Sequence, residues 1–201
     1  MDPSQLNTAS DWPADPMTLF GEWLEHVRAN DVPEPEAMAL CSTTANGKPS
    51  ARMVLLRGLD ANGFRFYTNY ESRKGQELIQ NPFAAAIFYW REPYLQVRIE
   101  GEVEQLTPEE SEEYFNSRER AKRVSASVSD QSRPIEDYRQ LEAAANALAA
   151  SEDPVERPAH WGGFRIKPTQ IEFWAGTQTR MHRRCAYSKT DDGWTRELLA
   201  P

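Results

Sequence analysis

Hydrophobic and polar positions alternate in short bursts along most of this chain, and the period of the alternation changes at only a few places. Phe20, Trp23, Leu24 and Val27 recur at three- and four-residue intervals, the spacing of one helix face. Asp15 and Pro16 ahead of them supply an N-cap and a first-turn proline, so a helix is expected over 16–30. The prolines of "DVPEPEA" end it, because each biases its predecessor away from helix. Downstream the period falls to two. "AMALCSTTA" runs into Asn46-Gly47, a dipeptide suited to tight hairpins, and "KPSARMVLLRGL" returns as its partner strand. A turn at Asn62-Gly63 leads to "FRFYTN", and "ESRKGQELIQN" reads as a short helix capped by Ser72. "FAAAIFYW" and "YLQVRIEGEVEQL" complete an antiparallel run of five strands.

Thr107-Pro108-Glu109-Glu110 is a capping-box pattern opening a helix through Arg118, and the alanine-rich 136–150 stretch is a further helix. "SEDPVERPAH" reads as a loop, followed by four short strands in "GGFRIKP", "QIEFWAG", "HRRCAYSK" and "GWTRELLA". Many short strands with helices confined to the flanks predict a mainly β protein, a closed or half-closed barrel with peripheral helices. The polar stretch 1–14 is expected to be a flexible N-terminal arm and 15–201 a single domain.

Composition narrows the functional classes. The chain has 201 residues and a formal net charge of −8, with 23 basic against 31 acidic side chains. That balance disfavours nucleic acid and anionic membranes as partners, since both require an extended basic surface. No apolar run reaches the roughly 18 residues of a membrane span, and no secretory leader is read, so a cytoplasmic protein is expected. Cys41 and Cys185 stand far apart and read as two buried thiols. With only His26, His160 and His182 available, and no paired-histidine spacing, no metal centre is expected; His26 reads as a solvated helix residue and His160 as a loop residue. Glycine-rich dinucleotide, P-loop and nucleophile-elbow motifs are absent.

What remains is a scatter of basic residues beside strands. Arg52 and Arg57 bracket "MVLL"; five apart on a regular strand, they point to opposite faces. Arg73 and Lys74 occupy the first turn of a helix, where cations are out of place unless an anion sits at that end. "DQSRP" offers Gln131 and Ser132 as neutral donors, Trp174 lies in "EFWAG", and "TRMHRR" concentrates Arg180, His182, Arg183 and Arg184 in six positions. Any one of these would suit an ordinary surface or core; their joint appearance is the informative fact.

Taken together, "EPEAMALCSTT", "SARMVLLRG", "FRFYTNYESRKGQEL", "LQVRIEG", "YFNSR", "DQSRP", "WGGFRI", "IEFW" and "RMHRR" resemble the pyridoxine/pyridoxamine 5′-phosphate oxidase family over nearly the whole chain. The resemblance implies an FMN-binding split β-barrel, homodimeric, with the flavin at the subunit interface. It implies oxidation of pyridoxine or pyridoxamine 5′-phosphate to pyridoxal 5′-phosphate, with dioxygen reduced to hydrogen peroxide. Carried over position by position, the FMN set is Arg52, Met53, Val54, Leu55, Leu56, Tyr67, Thr68, Arg73, Lys74, Gln96, Gln131, Ser132, Trp174 and Arg184. The substrate set is Arg57, Tyr114, Arg118, Lys122, Arg180 and His182, the last two being the catalytic pair. Arg180, His182 and Arg184 are expected to share one face of a strand, with Arg183 pointing away.

The chain departs from the family pattern at the phosphate clasp. Arg57 stands where the family usually has lysine, Lys122 where it has serine, Glu119 where it has proline and Ser125 where it has glycine. Either the clasp is rebuilt around Lys122 or the pocket takes a different anion. Phenazine-biosynthesis relatives of the same fold, and a flavin- or pyridoxal-phosphate-binding module without turnover, are the alternative readings.

Overall fold

The computed structural model describes residues 6–201. Its first helix, α1 (Pro16–Ala29), starts where the sequence predicts, with the Asp15 carboxylate accepting from the Met17 and Thr18 amides. The strands and remaining helices follow as β1 (Ala37–Thr43), β2 (Pro49–Leu55), β3 (Gly58–Asp60), β4 (Gly63–Asn69), α2 (Arg73–Gln80), β5 (Phe83–Trp90), β6 (Leu95–Gln105), α3 (Pro108–Ser117), α4 (Arg120–Val128), α5 (Tyr138–Ala150), β7 (Trp161–Ala175), β8 (Arg183–Thr190) and β9 (Gly193–Leu198). All strand pairings are antiparallel, in the order β2-β1-β5-β6-β7-β4-β3, with β8 added to β7 and β9 to β8.

The inner face of this sheet and the apolar stripe of α1 make one core. Phe20 of α1 meets Phe64 and Phe88 edge-on, each with ring centroids 4.9 Å apart, and all three are fully buried. A second, smaller core of Phe115, Val124, Val155 and Trp161 lies under α3 and α4.

Four expectations are corrected. The segments 162–168 and 170–176, read as two strands, form the single strand β7. It pairs with β6 along one edge, while its other edge serves β4 over 161–166 and β8 over 170–175. Pro168 sits at the changeover, where its missing N–H is tolerated, and the register with β6 shifts at Glu100/Gly101. A side chain at Gly101 would strike the Lys167 carbonyl, which explains glycine at that bulge. Residues 48–59, read as one strand, break after Leu55, and Arg57 instead donates its backbone N–H to the Arg65 carbonyl. Helix α4 is not among the expected elements: "RAKRVSASV" buries only Val124, too little for a visible apolar stripe. Finally, the described part of the expected flexible arm is packed. Leu6 and Trp12 belong to the main core, Pro13 accepts from the Tyr187 hydroxyl, and Ala9 accepts from Arg196. Residues 1–5 of that arm lie outside the described residues. Among the described residues, no helix is long and apolar enough to cross a membrane, and no group of histidines, cysteines and carboxylates is placed to hold a metal.

Candidate functional site

A cavity of about 490 Å³ opens between the end of β2, the end of β4, the start of α2 and the α3–α4 corner. Eleven of the residues assigned from sequence line it: Met53, Val54, Leu55, Arg57, Tyr67, Thr68, Lys74, Tyr114, Arg118, Lys122 and Gln131.

Lys74 dominates its chemistry. Ser72 caps α2 by accepting from the Gly75 amide, and the first turn of the helix then carries the Lys74 side chain inward. The Lys74 ammonium is buried and donates to Gln131 Oε1 at 2.8 Å, Thr68 Oγ1 at 3.0 Å and Ser72 Oγ at 3.2 Å. No carboxylate among the described residues pairs with it. Burial, aided by the nearby charge of Arg52, lowers its pKa to about 8. A cation held out of water beside a helix N-terminus, with neutral partners only, is a seat for an anion.

Arg52 and Arg73, assigned beside Lys74, are not in the cavity lining; both are tied to Glu77, a buried carboxylate that sequence reasoning missed. Glu77 accepts from the Ser42 and Ser50 hydroxyls and from both guanidiniums. Burial alone would raise its pKa, but the hydroxyl and Arg73 hydrogen bonds and the charge of Arg52 outweigh it and bring the value down to about 2. The i,i+4 spacing of Arg73 and Glu77 was the available signal; the pairing with Arg52 required the tertiary fold.

The opposite wall is aromatic. Tyr67 and Tyr114 stack at 3.8 Å and 17°, and Trp161, which the sequence does not single out for the site, continues the stack 5.6 Å from Tyr67. The Arg118 guanidinium lies 4.8 Å from the Trp161 ring centre, with its Nη1 buried and without a hydrogen-bond partner among the described residues. Burial lowers its pKa, with Tyr114 opposing and the charge of Arg57 adding to the effect. Lys122 pairs with Glu119, at 3.2 Å on the exposed side. Arg57, Arg118 and Lys122 thus bring three cations to one end of the cavity, against Glu119 as the carboxylate of its lining.

The other assigned residues gather elsewhere. Gln96, Trp174 and Arg184 are register partners across β6, β7 and β8, forming one row on the outer sheet face. Arg184 donates to Glu172 at 2.8 Å, and Glu172 also accepts from Arg98. The His182 ring packs 4.6 Å from Trp174, and its Nδ1 accepts from the Thr177 amide at 3.1 Å. The neutral ring therefore carries its hydrogen on Nε2. Arg180 and His182 were expected on a strand with Arg184; instead β8 begins at Arg183, and Arg180 sits in a turn with φ 64°. Arg183, expected to point away, donates to Asn7. Leu56 is buried in the core and Ser132 is exposed in a turn, also at positive φ, and neither lines the cavity.

The two groups share a sheet face but not a cavity. Strand β7 runs from one group to the other: Gly163 is the register partner of Tyr67 in the cavity wall, and Trp174 lies eleven residues further on, roughly 36 Å of strand. The outer face beside the cavity exposes apolar side chains, with Met53 63% and Tyr89 53% exposed, before the Arg98–Glu172 ion pair that adjoins the row.

Comparison with known proteins gives a consistent result. The profile of the family described as "Pyridoxamine 5'-phosphate oxidase" matches residues 24–151, and that of the "Pyridoxine 5'-phosphate oxidase C-terminal dimerisation region" matches 161–201. The chain is 47% identical over 202 residues to a pyridoxine/pyridoxamine 5′-phosphate oxidase of Herminiimonas arsenicoxydans, covering 100% of this chain and 94% of the relative. It is 47% identical to the enzyme of that name from Salinibacter ruber, covering 93% and 89%. Among solved structures, PhzG of Burkholderia lata 383, crystallised with tetrahydrophenazine-1-carboxylic acid, superposes with a TM-score of 0.94 at 33% identity, covering 100% of this chain and 98% of that one. An FMN-binding protein of Nostoc punctiforme, at TM-score 0.76 and 19% identity, shares the fold.

Proposed function

The chain belongs to the pyridoxamine 5′-phosphate oxidase family, and from that premise we propose that it is a homodimeric, FMN-dependent oxidase converting pyridoxine or pyridoxamine 5′-phosphate to pyridoxal 5′-phosphate. The observation that carries this reading is the buried Lys74 ammonium, without an anionic partner among the described residues, in a cavity whose far end gathers Arg57, Arg118 and Lys122. One fixed cation suits the phosphate of FMN, and the three-cation cluster suits the phosphate of a second ligand.

The residues present fit FMN. Lys74 and the α2 N-terminus would hold its phosphate, with Arg52 and Arg73 kept close by Glu77 and with Thr68 and Gln131 as the neutral partners in the lining. Met53, Val54, Leu55 and Tyr67 would supply the wall around it. Bound FMN would accept the hydride equivalent from the C4′ carbon and deliver the electrons to dioxygen, giving hydrogen peroxide. Gln96, Trp174 and Arg184 lie too far along the sheet to reach the same cavity. Isologous pairing of two outer faces would bring this row from one copy to the cavity of the other, and would cover Met53 and Tyr89. The match of 161–201 to a dimerisation region supports that arrangement.

Substrate would enter with its phosphate on Arg57, Arg118, Lys122 and the Tyr114 hydroxyl, and with its ring under Arg180 and His182 of the second copy. Since His182 Nδ1 is already engaged by Thr177, the imidazole acts through Nε2–H, as a donor that orients the substrate oxygen or ring. The likeness to PhzG favours one second reading, an oxidase for a carboxylated ring compound. The cluster of Arg57, Arg118 and Lys122 matches a phosphate dianion better than a single carboxylate.

The test is product formation with each candidate. Pyridoxine and pyridoxamine 5′-phosphates should yield pyridoxal 5′-phosphate with one equivalent of hydrogen peroxide. Oxidation of tetrahydrophenazine-1-carboxylic acid without activity on either vitamer would transfer the assignment to the second reading.

A further inference from the structure

Helix α5 poses a question that the cavity does not answer. It is 13 residues long, buries none of them fully, and lines no part of the cavity. Ala145 and Leu148 rest on the second core, and the polar attachment of the helix is through one side chain of α4. The Arg120 guanidinium donates to four backbone carbonyls at and just beyond the end of α5: Ser151 at 2.7 Å, Leu148 at 2.9 Å, Asp153 at 3.0 Å and Ala149 at 3.4 Å. Leu148 and Ala149 are among the carbonyls a helix C-terminus leaves without intrahelical partners, at the negative end of its dipole, and Ser151 and Asp153 lie at and just past the cap, so one arginine there meets several acceptors at once.

Arg120 sits between two of the residues assigned to the substrate phosphate. Arg118 and Glu119 are both extended, a two-residue link from α3 to α4 that does not by itself fix the angle between the helices. Glu119 makes no side-chain cap to α4 and pairs with Lys122 instead. Val124 is buried in the second core and Arg123 has its Nε buried, but Arg120 is the side chain that ties the first turn of α4 to α5 by hydrogen bonds. Arg118 precedes it by two residues and Lys122 follows by two, and both line the cavity. We propose that Arg120 is a positioning residue for the substrate phosphate: by clamping the first turn of α4 to the end of α5, it presets the placement of Arg118 and Lys122, and α5 serves as the brace. The proposal rests on the reading that those two side chains receive the phosphate.

The test uses the full-length, FMN-loaded protein and compares pyridoxal 5′-phosphate with unphosphorylated pyridoxal by calorimetric titration, alongside KM and kcat for pyridoxine 5′-phosphate. Arg120→Ala should weaken pyridoxal 5′-phosphate binding and raise KM by about tenfold, the cost of ordering two loosened long side chains. It should leave kcat within about twofold and leave FMN and pyridoxal affinities unchanged. Arg120→Lys, with three donors for four acceptors, should fall between. In an Arg118→Ala/Lys122→Ala background the Arg120→Ala substitution should add little, because both residues it positions are gone.

Arg118→Ala alone tests the underlying reading. If it leaves the preference for the phosphorylated ligand intact, that reading fails and the proposal fails with it. If Arg118→Ala abolishes the preference but Arg120→Ala does not reduce it, only the proposal is overturned. Equal losses for phosphorylated and unphosphorylated ligands, or loss of folding and flavin binding in both Arg120 variants, would assign Arg120 to the fold and overturn the positioning role.

Discussion

At the scale of single residues, Lys74 in the cavity lining and Glu77 buried outside it respond to pH in opposite ways. Lys74 has a folded-state pKa of about 8, below its ordinary 10.5. Unliganded protein should therefore gain stability as pH rises from about 8 toward 10.5, because the native state releases that proton before the unfolded chain does. An anion on Lys74 needs the protonated form, so FMN affinity of the apoprotein should fall as pH rises through about 8. Lys74→Met should lower FMN affinity by roughly tenfold to a hundredfold, the value of one charged hydrogen bond, and flatten that pH dependence. Fluorescence titration of FMN between pH 6 and 10 reads both effects, and an unchanged slope in the variant would remove Lys74 from the site. Glu77 behaves inversely. Its depressed pKa contributes stability above the ordinary value of 4.5, and that stability is lost as pH falls from 4.5 toward about 2. Glu77→Gln should lose most of this acid sensitivity in thermal melts while weakening FMN binding, since Arg52 and Arg73 lose their common anchor. The basic residues themselves were legible in the sequence, Lys74 because a cation in the first turn of a helix asks for an anion. Their counter-charges were not, because Glu77 meets Arg52 only after β1, β2 and α2 are packed together.

At the scale of elements, α1, the Asn46-Gly47 hairpin and the Thr107 capping box were readable because each is written in local residues: a cap, a turn dipeptide, a periodic stripe. The failures share a cause in tertiary partners. Pro168 looks like a strand end, yet β7 runs through it because β6 holds the whole strand and the edge facing β4 and β8 changes partner there. Arg180 and His182 alternate with Arg184 in sequence but precede β8, in a turn stabilised by the Thr177–His182 hydrogen bond. The two cores make a separable prediction. Phe20→Ala in the main core and Phe115→Ala in the small one should each cost about 3–5 kcal/mol of stability. Only Phe115→Ala should also weaken binding of phosphorylated ligands, because α3, α4 and Trp161 rest on that side chain. Thermal melts paired with ligand titrations separate the two, and equal binding losses would show that the small core has no special tie to the cavity.

At the scale of the whole molecule, the proposed activity depends on a second copy. One chain carries a cationic cavity where the ends of β2 and β4 approach, and the Gln96–Trp174–Arg184 row at the far end of β7. The proposed function then requires the cavity of one chain and the row of another. At an FMN concentration low enough that neither Lys74→Met nor Arg184→Ala turns over alone, the two variants should regain about a quarter of wild-type activity when unfolded together and refolded as a mixture, because half of the dimers are hybrids and each hybrid has one intact site. No recovery in a mixture shown to contain hybrids would place both groups in one subunit's own site. Whether this chain removes a hydride equivalent from a phosphorylated vitamin B6 compound onto a bound flavin can be read in a single anaerobic experiment. The FMN-loaded protein is mixed with pyridoxine 5′-phosphate in the absence of dioxygen while the flavin spectrum is followed. The yellow absorption should bleach, one pyridoxal 5′-phosphate should form per flavin, and the colour should return when air is admitted. A flavin that stays oxidised with both pyridoxine and pyridoxamine 5′-phosphates would contradict the proposed reaction.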